Sequence, residues 1–273
     1  MLYQQILAFY QAHGLYQSKH DYADKFYNLS YFEKLDKIKI EHIHEYCTLR
    51  TLDGVKNATI NRELTVIRSA INYYNLHHET NYHNPFNGFN LFESDFIPTY
   101  LTENQCKQLL GKCKLYPNPL FYVYVALLLN TGCRSSELLT LTWDNVDLDR
   151  KFIIIRNSLS KNKKTIYKPL NNTAFNLLNN LDKQNEFVFY NPKTESHYKT
   201  FRKAWIATLD KLEFKCRIHD LRHTFASLLV SQGVPIYHIS QLLGHSDTRI
   251  TQKYAHLSPN SLSNVVALLP NFD

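Results

Sequence analysis

The 273 residues predict a mainly α (α+β) chain in two parts. The first is a helical N-terminal domain over residues 1–92. The second, over 99–273, is a mixed, mostly helical domain with a small antiparallel sheet. Three observations carry this. Only seven glycines are present, and Gly supplies most turns with positive φ, so the chain is expected to be helix-rich with few tight turns. Apolar residues recur at helical steps in both parts. A single stretch, 151–169, reads as paired strands around a polar turn.

The elements follow in order. Ile60, Leu64, Ile67, Ile71 and Tyr74 recur at steps of 4, 3, 4 and 3, which puts them on one helix face. Asn57 or Thr59 caps that helix, and Asn61, Arg62 and Arg68 lie off the stripe. Asn84-Pro85-Phe86-Asn87-Gly88 is a turn-rich break, and a linker is placed near 88–99. Thr102 with Gln105 three residues on forms a capping box. Asn118-Pro119 opens a strongly apolar helix that stops at Thr131-Gly132. A short amphipathic segment runs from Ser135 to Leu141. Lys151–Arg156 and Thr165–Pro169 are the two strands, with Ser158–Lys164 as their turn. Helical patterns return at about 172–182 and 198–211. Three short helices close the reading: His219 to Gln232 before Gly233, Pro235 to Leu243 before Gly244, and Asp247 to Ala255.

Composition removes several function classes. The longest apolar run, Leu120–Leu129, has ten residues, about half a membrane span. The start has no basic segment followed by an apolar one, so no signal peptide is expected. Five cysteines without a C-x-x-C pair argue against a disulfide framework or a zinc-thiolate site, and for a reducing cytoplasm. The net charge of +7 is unevenly spread. Residues 1–97 hold nine basic and eleven acidic side chains, a net of −2; residues 98–273 hold 22 and 13, a net of +9. The basic C-terminal part suggests a polyanionic partner, nucleic acid first.

One set of polar residues suits phosphate chemistry. Arg134 follows a glycine at a helix end. His219 and Arg222 are three apart and share a helix face. His245 follows a helix-terminating glycine, and Tyr254 comes nine residues later, exposed in pattern beside Gln252 and Lys253. Lys161 lies in the polar turn between the strands. Two guanidiniums bind phosphate oxygens bidentately and stabilise a pentacoordinate transition state. Tyrosine is a phenolic nucleophile, histidine accepts its proton, and lysine protonates a leaving alkoxide. His219 and His223 are four apart, but no H-E-x-x-H and no third ligand is present, so no metal is expected. His223 reads as a buried, hydrogen-bonded packing residue. Lys56, Asn57, Thr59, Asn61 and Arg62 either contact DNA or form a capped, exposed helix end.

The boxes around these residues resemble the tyrosine recombinase (phage integrase) family. Thr131-Gly132-Cys133-Arg134-Ser135-Ser136-Glu137-Leu138-Leu139, with Trp143 and Val146-Asp147, is similar to its first arginine box. His219-Asp220-Leu221-Arg222-His223 is similar to its H-x-L-R-H box. Leu242-Leu243-Gly244-His245-Ser246 with Thr251 and Tyr254 is similar to its third box and nucleophile. Lys161 stands ahead of Pro169-Leu170 where the family has a hairpin lysine, with Lys163 and Lys164 as alternatives. Residues 57–64, 71–73 and 84–85 resemble the helical core-binding domain, and the resemblance covers about 20–270.

The resemblance implies a site-specific DNA recombinase of two domains that close as a clamp on duplex DNA. Tyr254 would attack a scissile phosphate and leave a 3′-phosphotyrosyl bond. Arg134 and Arg222 would clamp the phosphate, Lys161 would be the general acid, His219 the base and His245 a phosphate ligand, with Glu137 orienting its neighbours. No cofactor is implied, and no G-x-x-x-x-G-K-[ST] is present. The implied partners are specific DNA sites, a homotetramer on DNA, and accessory directionality or bending proteins. The tail, 255–273, would pack on a neighbouring subunit or back on its own. About 20 residues precede the resemblance, which implies a form without an arm-binding domain. A type IB topoisomerase-like relaxing enzyme differs in forming no recombinant product. A non-catalytic DNA-binding relative would lack a catalytic residue, and none is missing here.

Overall fold

The computed structural model describes residues 3–13, 37–92, 98–156, 165–245 and 247–257. The chain divides into two compact units, Met1–Asp95 and Phe96–Asp273. Both are built mainly of helices, with a small antiparallel sheet in the second.

The first unit has three described helices: α1 (Tyr3–Ala12), α2 (Ile40–Leu52) and α3 (Asn57–His77). The predicted stripe on α3 is its buried face. Ile60, Leu64, Ile67 and Ile71 join Ile6, Ile43 and Tyr46 in one core, with Tyr74 packed at its edge. Glu63 lies on the buried side of α3 and accepts from Tyr46 Oη at 2.6 Å and from Arg50 Nε and Nη2 at 3.1 and 3.0 Å. That buried ion pair ties α2 to α3.

The cap of α3 differs from expectation. The N-cap of α3 is Lys56, without a side-chain cap bond. Asn57 instead donates to the Phe92 carbonyl at 2.8 Å. Asn61 donates to the Leu91 carbonyl and accepts from its N–H, at 2.9 and 2.8 Å. Arg68 donates to the carbonyls of Phe86 and Phe89. These polar side chains hold residues 84–92 along α3, and Phe86 is wholly buried. The stretch therefore belongs to the first unit. The polar residues off the stripe satisfy backbone groups that no strand or helix pairs.

In the second unit, Thr102 Oγ1 accepts from the Gln105 N–H and opens α4 (Glu103–Lys114), as the capping box predicted. Asn118 caps α5 (Pro119–Thr131), and Gly132 ends it in the left-handed conformation. Phe121, Tyr124, Val125, Leu127 and Leu128 of α5 form the centre of the core. Against α5 pack α4, α7 (Asn172–Asn179) and α9 (Asp220–Ser231). The short α6 (Ser135–Leu139) follows Arg134.

The sheet has three strands rather than two. β1 (Val146–Asp147) pairs with β2 (Phe152–Ile155), and β2 pairs with β3 (Ile166–Pro169), all antiparallel. The predicted turn, 158–164, lies outside the described residues. A second hairpin, β4 (Tyr190–Asn191) with β5 (Ser196–His197), precedes α8 (Arg202–Leu209). Strands of two residues carry no readable period, which is why β1, β4 and β5 escape sequence reading. α10 (Ile236–Leu243) ends at left-handed Gly244, and α11 (Arg249–Gln252) is shorter than its pattern, passing into a 3-10 turn at Ala255–Leu257. No helix among the described residues is long and apolar enough to cross a membrane.

Candidate active site

Three helix termini and one turn meet at one place in the second unit: the end of α5, the start of α9, the end of α10, and the turn after α11. Two glycines make the approach possible. Gly132 has φ 59°, and a Cβ there would collide with the Phe225 ring. Gly244 has φ 66°, and a Cβ there would collide with the Ile166 side chain. Side chains at both positions would also pay for the left-handed backbone. Each glycine directs the residues after it, Arg134 and His245, into the site.

Arg222 is the central group and is 4% exposed. Its Nη1 donates to the Gly132 carbonyl at 2.7 Å and its Nη2 to the Leu243 carbonyl at 2.6 Å. One guanidinium thus joins the end of α5 to the end of α10. Burial, then the nearby charge of Arg134, push its pKa down to about 10, so it stays charged at neutral pH. Arg134 is held by Glu137, which accepts from the Arg134 N–H and from its Nη1, both at 2.7 Å. Burial alone would raise the Glu137 carboxyl. Lys168 and both Arg134 groups outweigh that and hold it below the usual range. Glu137 orients Arg134, as expected of it.

Asp220 accepts from Arg217 N at 2.7 Å and pairs with its guanidinium, which fixes the turn that carries His219. His219 is exposed at the start of α9 and His223 is buried one turn on. Their rings meet edge-on, with centroids 4.9 Å apart. Burial lowers both pKa values, His223 to about 4. His245 Nδ1 lies 2.7 Å from Thr251 Oγ1, and burial, then Arg222 and Arg134, push its pKa down to about 4. At pH 7 all three imidazoles are neutral.

Tyr254 departs from the sequence reading. It is 1% exposed, packed against Ala226, Val230, Ile239 and Leu243. Its residue pattern looks exposed because Gln252 and Lys253 beside it are polar. Its hydroxyl is hydrogen-bonded to His223 Nδ1, not to His219. Burial pushes the phenol up to about 12, against a lowering by Arg222. Lys253 Nζ lies 5.3 Å from the centre of the same ring.

The structure therefore brings together Arg134, Arg222, His219, His245 and Tyr254. Lys161, Lys163 and Lys164 lie outside the described residues, as does the tail beyond 257. Sequence reading missed Lys168, which is 1% exposed and donates to the Leu242 carbonyl at 2.7 Å. Strand alternation was the available signal: with Tyr167 outward, Ile166 and Lys168 share the inner face. Among the described residues no group of three or more His, Cys, Asp or Glu side chains is placed to hold a metal ion. Two guanidiniums, one of them held by the Glu137 carboxylate, suit an anion with several oxygens, which is a phosphate's chemistry.

The family model described as the phage integrase family matches residues 99–261. The chain belongs to the phage integrase family. It is 30% identical to the integrase of Escherichia phage 186 over 227 residues, which is 83% of this chain and 64% of that protein. It is 32% identical to the integrase of Haemophilus phage HP1 (strain HP1c1) over 216 residues, 79% of this chain and 60% of that one. The chain thus spans less than two thirds of these relatives' length. Its fold matches the Tn1549 transposon integrase in complex with a circular intermediate DNA, with a TM-score of 0.76 over 98% of both chains at 18% identity.

Proposed function

We propose that the chain is a site-specific DNA recombinase that cuts and rejoins duplex DNA through a 3′-phosphotyrosyl intermediate. The observation that carries this is the convergence of Arg134, Arg222, neutral His245 and the Tyr254–His223 pair on one buried centre. The related integrases of phages 186 and HP1 support the same reading. So does the Tn1549 relative held on DNA.

In the proposed reaction the Tyr254 oxygen attacks a backbone phosphorus. The O–P bond forms as the bond from phosphorus to the 5′-oxygen breaks. Arg134 and Arg222 bind the non-bridging oxygens and stabilise the added charge of the transition state. His245, neutral, donates a hydrogen bond to the phosphate. The phenol proton passes to a neutral imidazole. His223 holds the hydroxyl in its buried position, and exposed His219 takes the proton once the ring has moved to the phosphate. Lys161 supplies a proton to the leaving 5′-oxygen. A 5′-hydroxyl from a second duplex then attacks the phosphotyrosine, so the ester keeps the bond energy and no nucleotide cofactor is needed.

On this reading the second unit grips duplex DNA chiefly through phosphates, and affinity falls steeply with salt. The first unit contributes a local DNA-facing surface at Lys56, Thr59 and Arg62, since Asn57 and Asn61 are committed to residues 91 and 92. The working assembly is a homotetramer on two sites in the cytoplasm, with accessory proteins setting direction. The test is recombinant product from two duplexes carrying the flanks of the chain's own gene, in excess EDTA without nucleotide. Product is expected. Relaxation of supercoils without product, or activity restored only by zinc, would contradict the proposal.

A further inference from the structure

Lys168 is a buried amine in a strand position that an apolar side chain would fill at lower cost, and burial pushes its pKa below the usual lysine range. Its place is defined by the sheet. Lys168 pairs with Ile153 of β2, and both side chains are buried, while Tyr167, the next residue along β3, faces the other side and is exposed. From there Nζ donates to the Leu242 carbonyl at 2.7 Å.

Leu242 and Leu243 are the last two residues of α10. Their carbonyls are among those a helix end leaves without a partner. Arg222 takes the second of them, at 2.6 Å. Two side-chain donors from different elements therefore hold neighbouring carbonyls at one helix C-terminus. β3 grips the same turn a second time, because Gly244 is closed against Ile166, two residues before Lys168. The residue that leaves this turn is His245. The Lys168 charge also acts on Glu137, the group that orients Arg134.

We propose that Lys168 is a positioning residue of the site: by holding the Leu242 carbonyl it locks the end of α10 against β3 and so sets His245 beside the Arg134–Arg222 pair. Its effect on chemistry rests on the recombinase reading. The lock itself does not.

The test uses the full chain and the variants Lys168→Met, Lys168→Arg and, where the Met variant does not fold, Lys168→Gln. Thermal unfolding establishes folding. Amide hydrogen exchange then reads the turn at 242–245 without DNA. Exchange there is expected to rise about tenfold or more in Lys168→Met, with protection elsewhere in α5 and α9 unchanged, because only the local opening becomes easier. On a nicked duplex, the cleavage rate of Lys168→Met is expected to fall about 10- to 100-fold through misplacement of His245, with DNA affinity within about twofold. Lys168→Arg, which keeps donor and charge, recovers part of the rate. In a His245→Ala background the Lys168→Met change costs less than about twofold, since the two act through one path. Unchanged exchange at 242–245 would overturn the proposal. So would full cleavage activity in Lys168→Met, or an equal loss in the His245→Ala background, which a merely structural role would give. If the wild-type chain forms no adduct on any duplex, the recombinase reading fails and the exchange result alone decides the lock.

Discussion

Arg222 shows how one side chain serves fold and site together. Its two terminal nitrogens hold the carbonyls of Gly132 and Leu243, and its remaining N–H groups are what a phosphate would meet. Lysine at that position keeps a charge but loses the planar fork, so it can hold one carbonyl at most. Arg222→Lys is expected to slow DNA cleavage about 10²- to 10³-fold, the cost of losing one aimed donor to a charged transition state. DNA affinity should change far less, because phosphates along the whole interface share it. Single-turnover cleavage with a parallel binding titration checks this, and an unaltered cleavage rate would remove Arg222 from the chemistry. Arg134, His219, Arg222, His245 and Tyr254, which the structure brings together, could be singled out in the sequence because each stands in one of three short boxes of polar residues beside glycines and helix boundaries. The partner of Tyr254 could not. His219 and His223 lie one turn apart on the same helix, and spacing cannot tell which imidazole points at the hydroxyl; the packing of Tyr254 against Ala226 and Val230 decides for His223.

At the scale of elements, polar side chains set several of the boundaries. The α3 stripe was readable as a period, but its buried Glu63 is not part of any apolar pattern. It is a carboxylate sealed by Tyr46 and Arg50 from α2. Glu63→Ala leaves the Arg50 guanidinium, itself largely buried, without that carboxylate and is expected to destabilise the first unit by about 3–5 kcal/mol. Urea unfolding, followed by exchange of the amides of α2 and α3, measures it. A loss below about 1 kcal/mol would mean that the pair stands in solvent as an ordinary surface bridge does. The same logic explains how residues 84–92 are held. Residues 84–92 look like turn and loop, and they are, yet Asn61, Asn57 and Arg68 bind their backbone to α3. A loop anchored by side chains from a helix face leaves no trace in hydropathy. The apolar α5, its proline start and its glycine stop were readable because chain-local chemistry fixes all three.

For the whole molecule, charge and protonation are the collective properties. The uneven charge, −2 over residues 1–97 and +9 beyond, puts the excess of basic side chains in the part that carries the site. Burial keeps His223 and His245 neutral, with pKa values near 4 against an unfolded value of about 6.5. Between those values the unfolded chain binds more protons than the folded one, so stability falls as pH falls. The urea midpoint of the second unit is expected to be level above about pH 6.5 and to drop steadily toward pH 4. His245→Gln should flatten part of that slope. A midpoint independent of pH across this window would show that these imidazoles are as solvated folded as unfolded.

The central claim is that Tyr254 becomes covalently joined to DNA, and trapping that bond tests it most directly. The chain would be incubated with nicked duplexes drawn from the flanks of its gene and from the host genome. Denaturing gels and peptide mass spectrometry would then locate the linkage. The proposed function predicts a 3′-phosphotyrosyl adduct on Tyr254 that is absent from Tyr254→Phe, with DNA binding retained by that variant. An adduct formed equally by Tyr254→Phe, or carried on another residue, would contradict it.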